Sequence, residues 1–152
     1  MSFSSKTKSN VGAYSNTGLR TDIESASPHR MILMLLDGAV EKIRAAAGAL
    51  ERGEVAAKGT NVGWAMSIVD GLRASLDHDN GGDLAANLDQ LYDYISRLLL
   101  EGNLHSDPAK FHESIKLLDE IRGAWIEIRT QVESGATQRA NNDLGSLAHA
   151  IR

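Results

Sequence analysis

Apolar residues recur at steps of three and four through most of the chain, in segments separated by short polar breaks. Between residues 28 and 51, Ile32, Leu35, Leu36, Ala39, Ile43, Ala46 and Leu50 fall on one side of a helix of 3.6 residues per turn. Ser27-Pro28 marks its start: Ser can cap unpaired N–H groups, and Pro is tolerated at the first helical position. Gly53 follows in a short turn, and a second helix is predicted over 55–76 on the stripe Val62, Ala65, Met66, Val69, Leu72 and Leu76. The run Asp77-His78-Asp79-Asn80-Gly81-Gly82 is the strongest breaker in the chain. A third helix is predicted over 83–101 on Leu84, Leu88, Leu91, Ile95, Leu98 and Leu99, with Gly102 and Asn103 as its stop signal. Asp107-Pro108 repeats the cap-plus-proline start, and Phe111, Ile115, Leu118, Ile121, Trp125, Ile128 and Val132 carry a fourth helix to about residue 133.

This pattern predicts an all-α fold, an antiparallel four-helix bundle over residues 28–133. Residues 1–27 form a polar leader whose larger apolar residues are Phe3, Val11, Tyr14, Leu19 and Ile23. Residues 134–152 form a polar tail, in which Leu144, Leu147, Ala148 and Ile151 point to a short terminal helix.

Composition narrows the setting. A chain of 152 residues fits one domain and can bury a core without metals or disulfides, and it has no cysteine. Its formal charge of −4 gives no footprint for nucleic acid or an anionic membrane surface. The longest apolar run, Met31 to Leu36, is far short of a membrane span, and the N-terminus lacks a signal-peptide core. A cytoplasmic protein that does not insert into membranes is expected.

The chemistry of catalysis is missing from the pattern. Helical bundles that hold two metals use Glu-x-x-His pairs, and none occurs here. His29, His78 and His105 fall at helix starts or in turns, where solvated or capping roles are expected. Asp77, Asp79 and Asp83 surround the Gly81-Gly82 turn but lack the twelve-residue calcium-loop pattern. Neither a metal nor another cofactor is expected, and nothing argues for an enzyme. A phosphotransfer bundle would need an exposed His along a helix; His112-Glu113-Ser114-Ile115-Lys116 is the candidate. A generic oligomerisation bundle is the other alternative.

One feature of the wheel exceeds what a core stripe requires. About 120° from the core stripe of the first helix lie Met31, Met34, Gly38, Ala45 and Ala49. On the second helix Trp64, Ile68 and Gly71 likewise lie off the core face. Small residues admit a close neighbour and Met adapts to varied partners. Met31, Met34, Gly38, Ala45, Trp64 and Ile68 are therefore candidates for binding an added amphipathic helix. Two bundle neighbours would account for the same wide face, and periodicity does not choose between these readings.

The segment Ser25-Ala26-Ser27-Pro28-His29-Arg30-Met31-Ile32, running into Met34-Leu35-Leu36-Asp37-Gly38-Ala39, resembles the first-helix signature of the flagellar secretion chaperone FliS family. Leu76-Asp77, Gly81-Gly82, Asn87-Leu88 and Leu91-Tyr92-Asp93-Tyr94-Ile95 continue the resemblance, as do Leu117-Leu118 and Ala124-Trp125. It spans roughly Val11 to Ile128. Leu36 departs from it where the family usually has an aromatic residue, and Trp64 where it often has a Lys. The resemblance implies a non-enzymatic chaperone with an antiparallel helical bundle. Its partner would be the disordered C-terminal segment of flagellin, kept from polymerising and delivered to the flagellar type III export apparatus. It also implies that Val11 and Tyr14 match a short leader motif that covers an empty groove or docks on an export-gate component.

Overall fold

The structure, a computed structural model, describes residues 27–130 and 136–151. The described residues form five helices: α1 Pro28–Glu51, α2 Val55–Ala74, α3 His78–His105, α4 Pro108–Thr130 and α5 Ala136–Ala150. α1 packs between α2 and α4, and α3 packs on the other sides of the same two, so α1–α4 make an up-down-up-down bundle. α5 lies against α3 and α4.

Each helix starts where local chemistry allows. The Ser27 hydroxyl accepts a hydrogen bond from the Arg30 N–H at 3.2 Å, and Pro28 follows. Asp107 Oδ1 accepts from the Ala109 N–H at 3.0 Å before α4. Asp77 Oδ1 accepts from the Asn80 N–H at 3.1 Å and opens α3 with a single turn. Gly82 then breaks that turn from the long helix, at φ 51° and ψ −128°. That backbone region is closed to residues with a Cβ, so the Gly-Gly breaker is a kink within α3. Gly53, at φ 70°, closes the α1–α2 turn.

The core holds Leu36, Ile43, Val69, Leu72, Leu91, Ile95, Leu99, Phe111, Leu118 and Ile121, all close to fully buried. Alanines at 39, 46 and 65 lie among them, which lets α1 and α2 approach closely. Across the outside, Arg122 Nε of α4 meets Asp37 Oδ1 of α1 at 2.6 Å. Arg73, at the end of α2, meets Asp89 at 2.6 Å and Asp93 at 3.2 Å on α3.

Three boundaries differ from the sequence expectation: α3 starts at His78, five residues before residue 83. α2 ends at Ala74, two residues before Leu76. α3 runs to His105, four residues beyond the expected stop. Gly102 is not a stop signal: it is buried beneath Phe111, and a Cβ there would stand 2.8 Å from the ring. The helix ends instead at Ser106, in the left-handed conformation at φ 49°.

The short terminal helix expected around Leu144 and Leu147 is present as α5. Leu144 and Ala148 join the core, while Leu147 and Ile151 pack against it partly exposed. Among the described residues, no helix is long and apolar enough to cross a membrane.

Candidate functional site

The antiparallel order brings the start of α1, the end of α2, the start of α3 and the latter part of α4 together at one end of the bundle. There the described helices do not close. They leave a cavity of about 340 Å³, lined chiefly by Met31, Ile32, Leu72, Leu76, Leu84, Leu88, Tyr92 and Trp125. The lining is almost entirely apolar, and the volume fits one or two large side chains.

A pair of aromatic rings holds one wall of this cavity. His29 and Trp125 stack with centroids 5.3 Å apart and planes 10° from parallel. The indole N–H donates to the His29 carbonyl at 3.1 Å, and the His29 Nε2 donates to the Trp125 carbonyl at 2.6 Å. A carbonyl only accepts, so Nε2 carries the proton; Nδ1 is buried with no partner. The first turn of α1 is thereby tied to α4. The expectation that His29 is solvated or capping does not hold. Its role was invisible because its partner stands 96 residues away. Trp125, by contrast, already lay on the core stripe with an N–H that needed an acceptor.

The rest of the rim is set by capping and charge. The Asp77 carboxyl is held below its ordinary range by hydrogen bonds from the Asn80 side chain and backbone. Asp89 is likewise lowered, first by its hydrogen bond with the Arg73 guanidinium, which joins α2 and α3 next to the opening. Tyr92 is nearly inaccessible, and burial pushes its phenol well above the usual range.

Met31 links the cavity to the second apolar stripe. It lines the cavity, and Met34 and Gly38 continue from it, both half-buried. A Cβ on Gly38 would stand 3.7 Å from Ile68 Cδ1, so these two meet at the seam of α1 and α2. Trp64 is 58% exposed, with the Lys42 ammonium 5.9 Å from its ring centroid. Ala45 is exposed. Neighbour packing thus accounts for Gly38 and Ile68, whereas Ala45 and Trp64 face solvent along the same seam. Val11 and Tyr14 lie outside the described residues.

Other chemistry is sparse. Among the described residues, no group of three His, Asp or Glu side chains could hold a metal ion. His112 stands exposed on α4.

Comparison with known proteins decides the family. A model of the flagellar protein FliS matches residues 9–132. The chain belongs to the FliS family. The flagellar secretion chaperone FliS of Salmonella typhimurium is 43% identical over 123 residues, covering 80% of this chain and 91% of that protein. FliSB of Pseudomonas aeruginosa is 38% identical over 112 residues, 74% of this chain and 89% of its own length. FliS of Vibrio cholerae is 34% identical over 121 residues, covering 80% and 89%. In this FliS-family chain the match takes in the cavity, the aromatic clasp and the α1–α2 seam. It stops short of α5.

Proposed function

We propose that the chain is a cytoplasmic export chaperone that binds the disordered C-terminal segment of flagellin. It keeps that segment from polymerising and delivers it to the flagellar type III export apparatus. No catalysis, nucleotide or metal is involved. The observation that carries the reading is an open apolar cavity, continuous through Met31 with an apolar seam, on a chain of the FliS family. A segment that builds a polymer exposes apolar side chains and needs them masked. An amphipathic helix laid along the α1–α2 seam, with a large residue in the cavity, masks them by burial. Folding of the client on binding offsets part of the gain, so affinity and release remain compatible.

Titration calorimetry with the flagellin C-terminal peptide tests this. One-to-one binding with a negative heat-capacity change is expected. Ala45→Glu should weaken it while melting stays nearly unchanged, because Ala45 is exposed; unchanged affinity in the folded variant would show that this stretch of the seam is not client surface. The leader pair Val11 and Tyr14 is proposed to cover the empty groove or to touch an export-gate component. Tyr14→Ala should then change client affinity or gate binding, and a change in neither makes the leader a passive tail.

A further inference from the structure

We infer that Lys42 and Trp64 set the selectivity of the α1–α2 seam: they take a client helix in which a side-chain carboxylate lies one turn from a large aliphatic residue. The inference rests on the chaperone reading above and names the chemistry that the seam recognises.

Lys42 stands apart from the other cations. Among the described residues, Lys42, Lys58, Arg73, Lys110 and Arg122 are the Lys and Arg side chains that are half-buried or deeper. Arg73 meets Asp89, Lys110 meets Glu101, Arg122 meets Asp37, and Lys58 donates to the Asn103 carbonyl. Of this group Lys42 alone has no oxygen partner; its ammonium lies 5.9 Å from the Trp64 ring centroid instead. A half-buried ammonium has lost part of its hydration, and an exposed aromatic face attracts it less than a hydrogen-bonded carboxylate does.

Trp64 supplies the apolar half. It is more than half exposed, on a helix whose outward face is nearly free of charge. Along α2, Asp70 is the one exposed charged side chain, whereas α1 exposes Arg30, Asp37, Glu41, Arg44 and Glu51. A solvated helix face is ordinarily charged. Gly71 lies seven residues after Trp64, on the same side of the helix, and is exposed. A Cβ there would meet nothing within 4 Å, so a neighbouring helix can come close beside the indole. Tryptophan is the residue type around which interface energy most often concentrates.

Charge decides the occupant. A nucleic acid or an anionic membrane needs a cluster of cations, but Lys42 stands among apolar and small residues on a chain of net charge −4. One cation beside one ring matches one carboxylate beside one aliphatic side chain. On a helix those two groups face the same way at i,i+3 or i,i+4. A helix with Lys or Arg in place of the carboxylate would set like charges together, so the same pair rejects it.

A charge-exchange cycle by titration calorimetry tests this. The proteins are the unmodified chain, Lys42→Met and Lys42→Arg; Met keeps the stem and removes the charge. The probes are the flagellin C-terminal peptide, versions with each Asp or Glu changed in turn to its amide, and a version with an amidated C-terminus. Lys42→Met should bind the parent peptide about fivefold more weakly, and Lys42→Arg nearly as well as the unmodified chain. One Asp or Glu replacement should weaken binding to the unmodified chain by about the same factor and leave Lys42→Met no weaker than the unmodified chain. Trp64→Ala should weaken the parent peptide about tenfold. Melting of the Lys42 variants should stay nearly unchanged. Equal binding by folded Lys42→Met, or a difference that no side-chain replacement removes, overturns the inference and leaves the chaperone reading standing. A difference removed by the amidated C-terminus alone also overturns it, because the carboxylate is then the chain end. No binding to the unmodified chain overturns both.

Discussion

The two ends of the bundle are built from the same four helices and finish differently. At the end formed by the α1–α2 and α3–α4 turns, Phe111 is fully buried over Gly102. Lys58 is buried beside it, donating from Nζ to the Asn103 carbonyl at 3.1 Å and to Ser106 Oγ at 2.7 Å. A lysine there satisfies the Asn103 carbonyl in the last turn of α3 and opposes the negative end of its dipole. The other end is walled by the His29–Trp125 clasp and keeps a cavity of about 340 Å³. One end contributes stability. The other leaves apolar side chains lining a cavity, the surface to which the proposed chaperone reading assigns a client.

The sharpest way to break this contrast is at the closed end. Phe111→Ala should destabilise the protein by about 3–5 kcal/mol, because a fully buried ring leaves a cavity behind. Denaturant unfolding followed by circular dichroism reads the change, and a loss below about 1 kcal/mol would show the end is not tightly packed. Gly102→Ala is smaller and more instructive. Helix propensity favours Ala by about 1 kcal/mol. The new Cβ would stand 2.8 Å from Phe111 Cε1, so overpacking should win and cost about 1–3 kcal/mol. A more stable Gly102→Ala would mean that Gly102 is a helix-end glycine after all.

Much of this architecture is legible in the sequence. The two cap-plus-proline starts, the Gly-Gly kink and the apolar stripes follow from local rules that act within one or two turns. α5 was visible in the spacing of Leu144, Leu147, Ala148 and Ile151. Gly102 was misleading because glycine serves both for helix ends and for close approach, and only the position of Phe111 decides between them. Lys58 lies in the first turn of α2 between Ala57 and Gly59, and its burial depends on where α3 ends. In the candidate site, the wheel put Ala45 and Trp64 off the core stripes without choosing between a client surface and a bundle neighbour, and the structure leaves both exposed. The wheel could not place the cavity, which exists only where the ends of four helices meet. Nor could it pair His29 with Trp125, since no local rule connects residues that distant.

The ion pair beside the opening gives the smallest expected effect. Asp89 is lowered by Arg73, and both are partly exposed, at 32% and 41% of the side chain. Folded Asp89 therefore binds its proton at lower pH than the unfolded chain does. Its contribution is present above the unfolded value near 3.9 and is lost as pH falls through the folded value. Solvent screening holds it to about 1 kcal/mol or less. Asp89→Asn should lower stability at neutral pH by about 1 kcal/mol or less and flatten its fall below about pH 4, where variant and unmodified protein converge. An unchanged acid limb in a urea titration series would show that the pair contributes nothing.

The central claim is that the open end receives the client. Filling it tests that claim most directly. Leu84 lines the cavity and is only partly buried, so Leu84→Trp can place its ring in the opening without displacing the core. Calorimetric titration of the flagellin C-terminal peptide into Leu84→Trp and the unmodified chain, side by side with their melting curves, gives the answer. Unchanged or slightly raised melting is expected, with affinity lower by about tenfold, or roughly 1.4 kcal/mol. Equal affinity in a folded Leu84→Trp protein would contradict it.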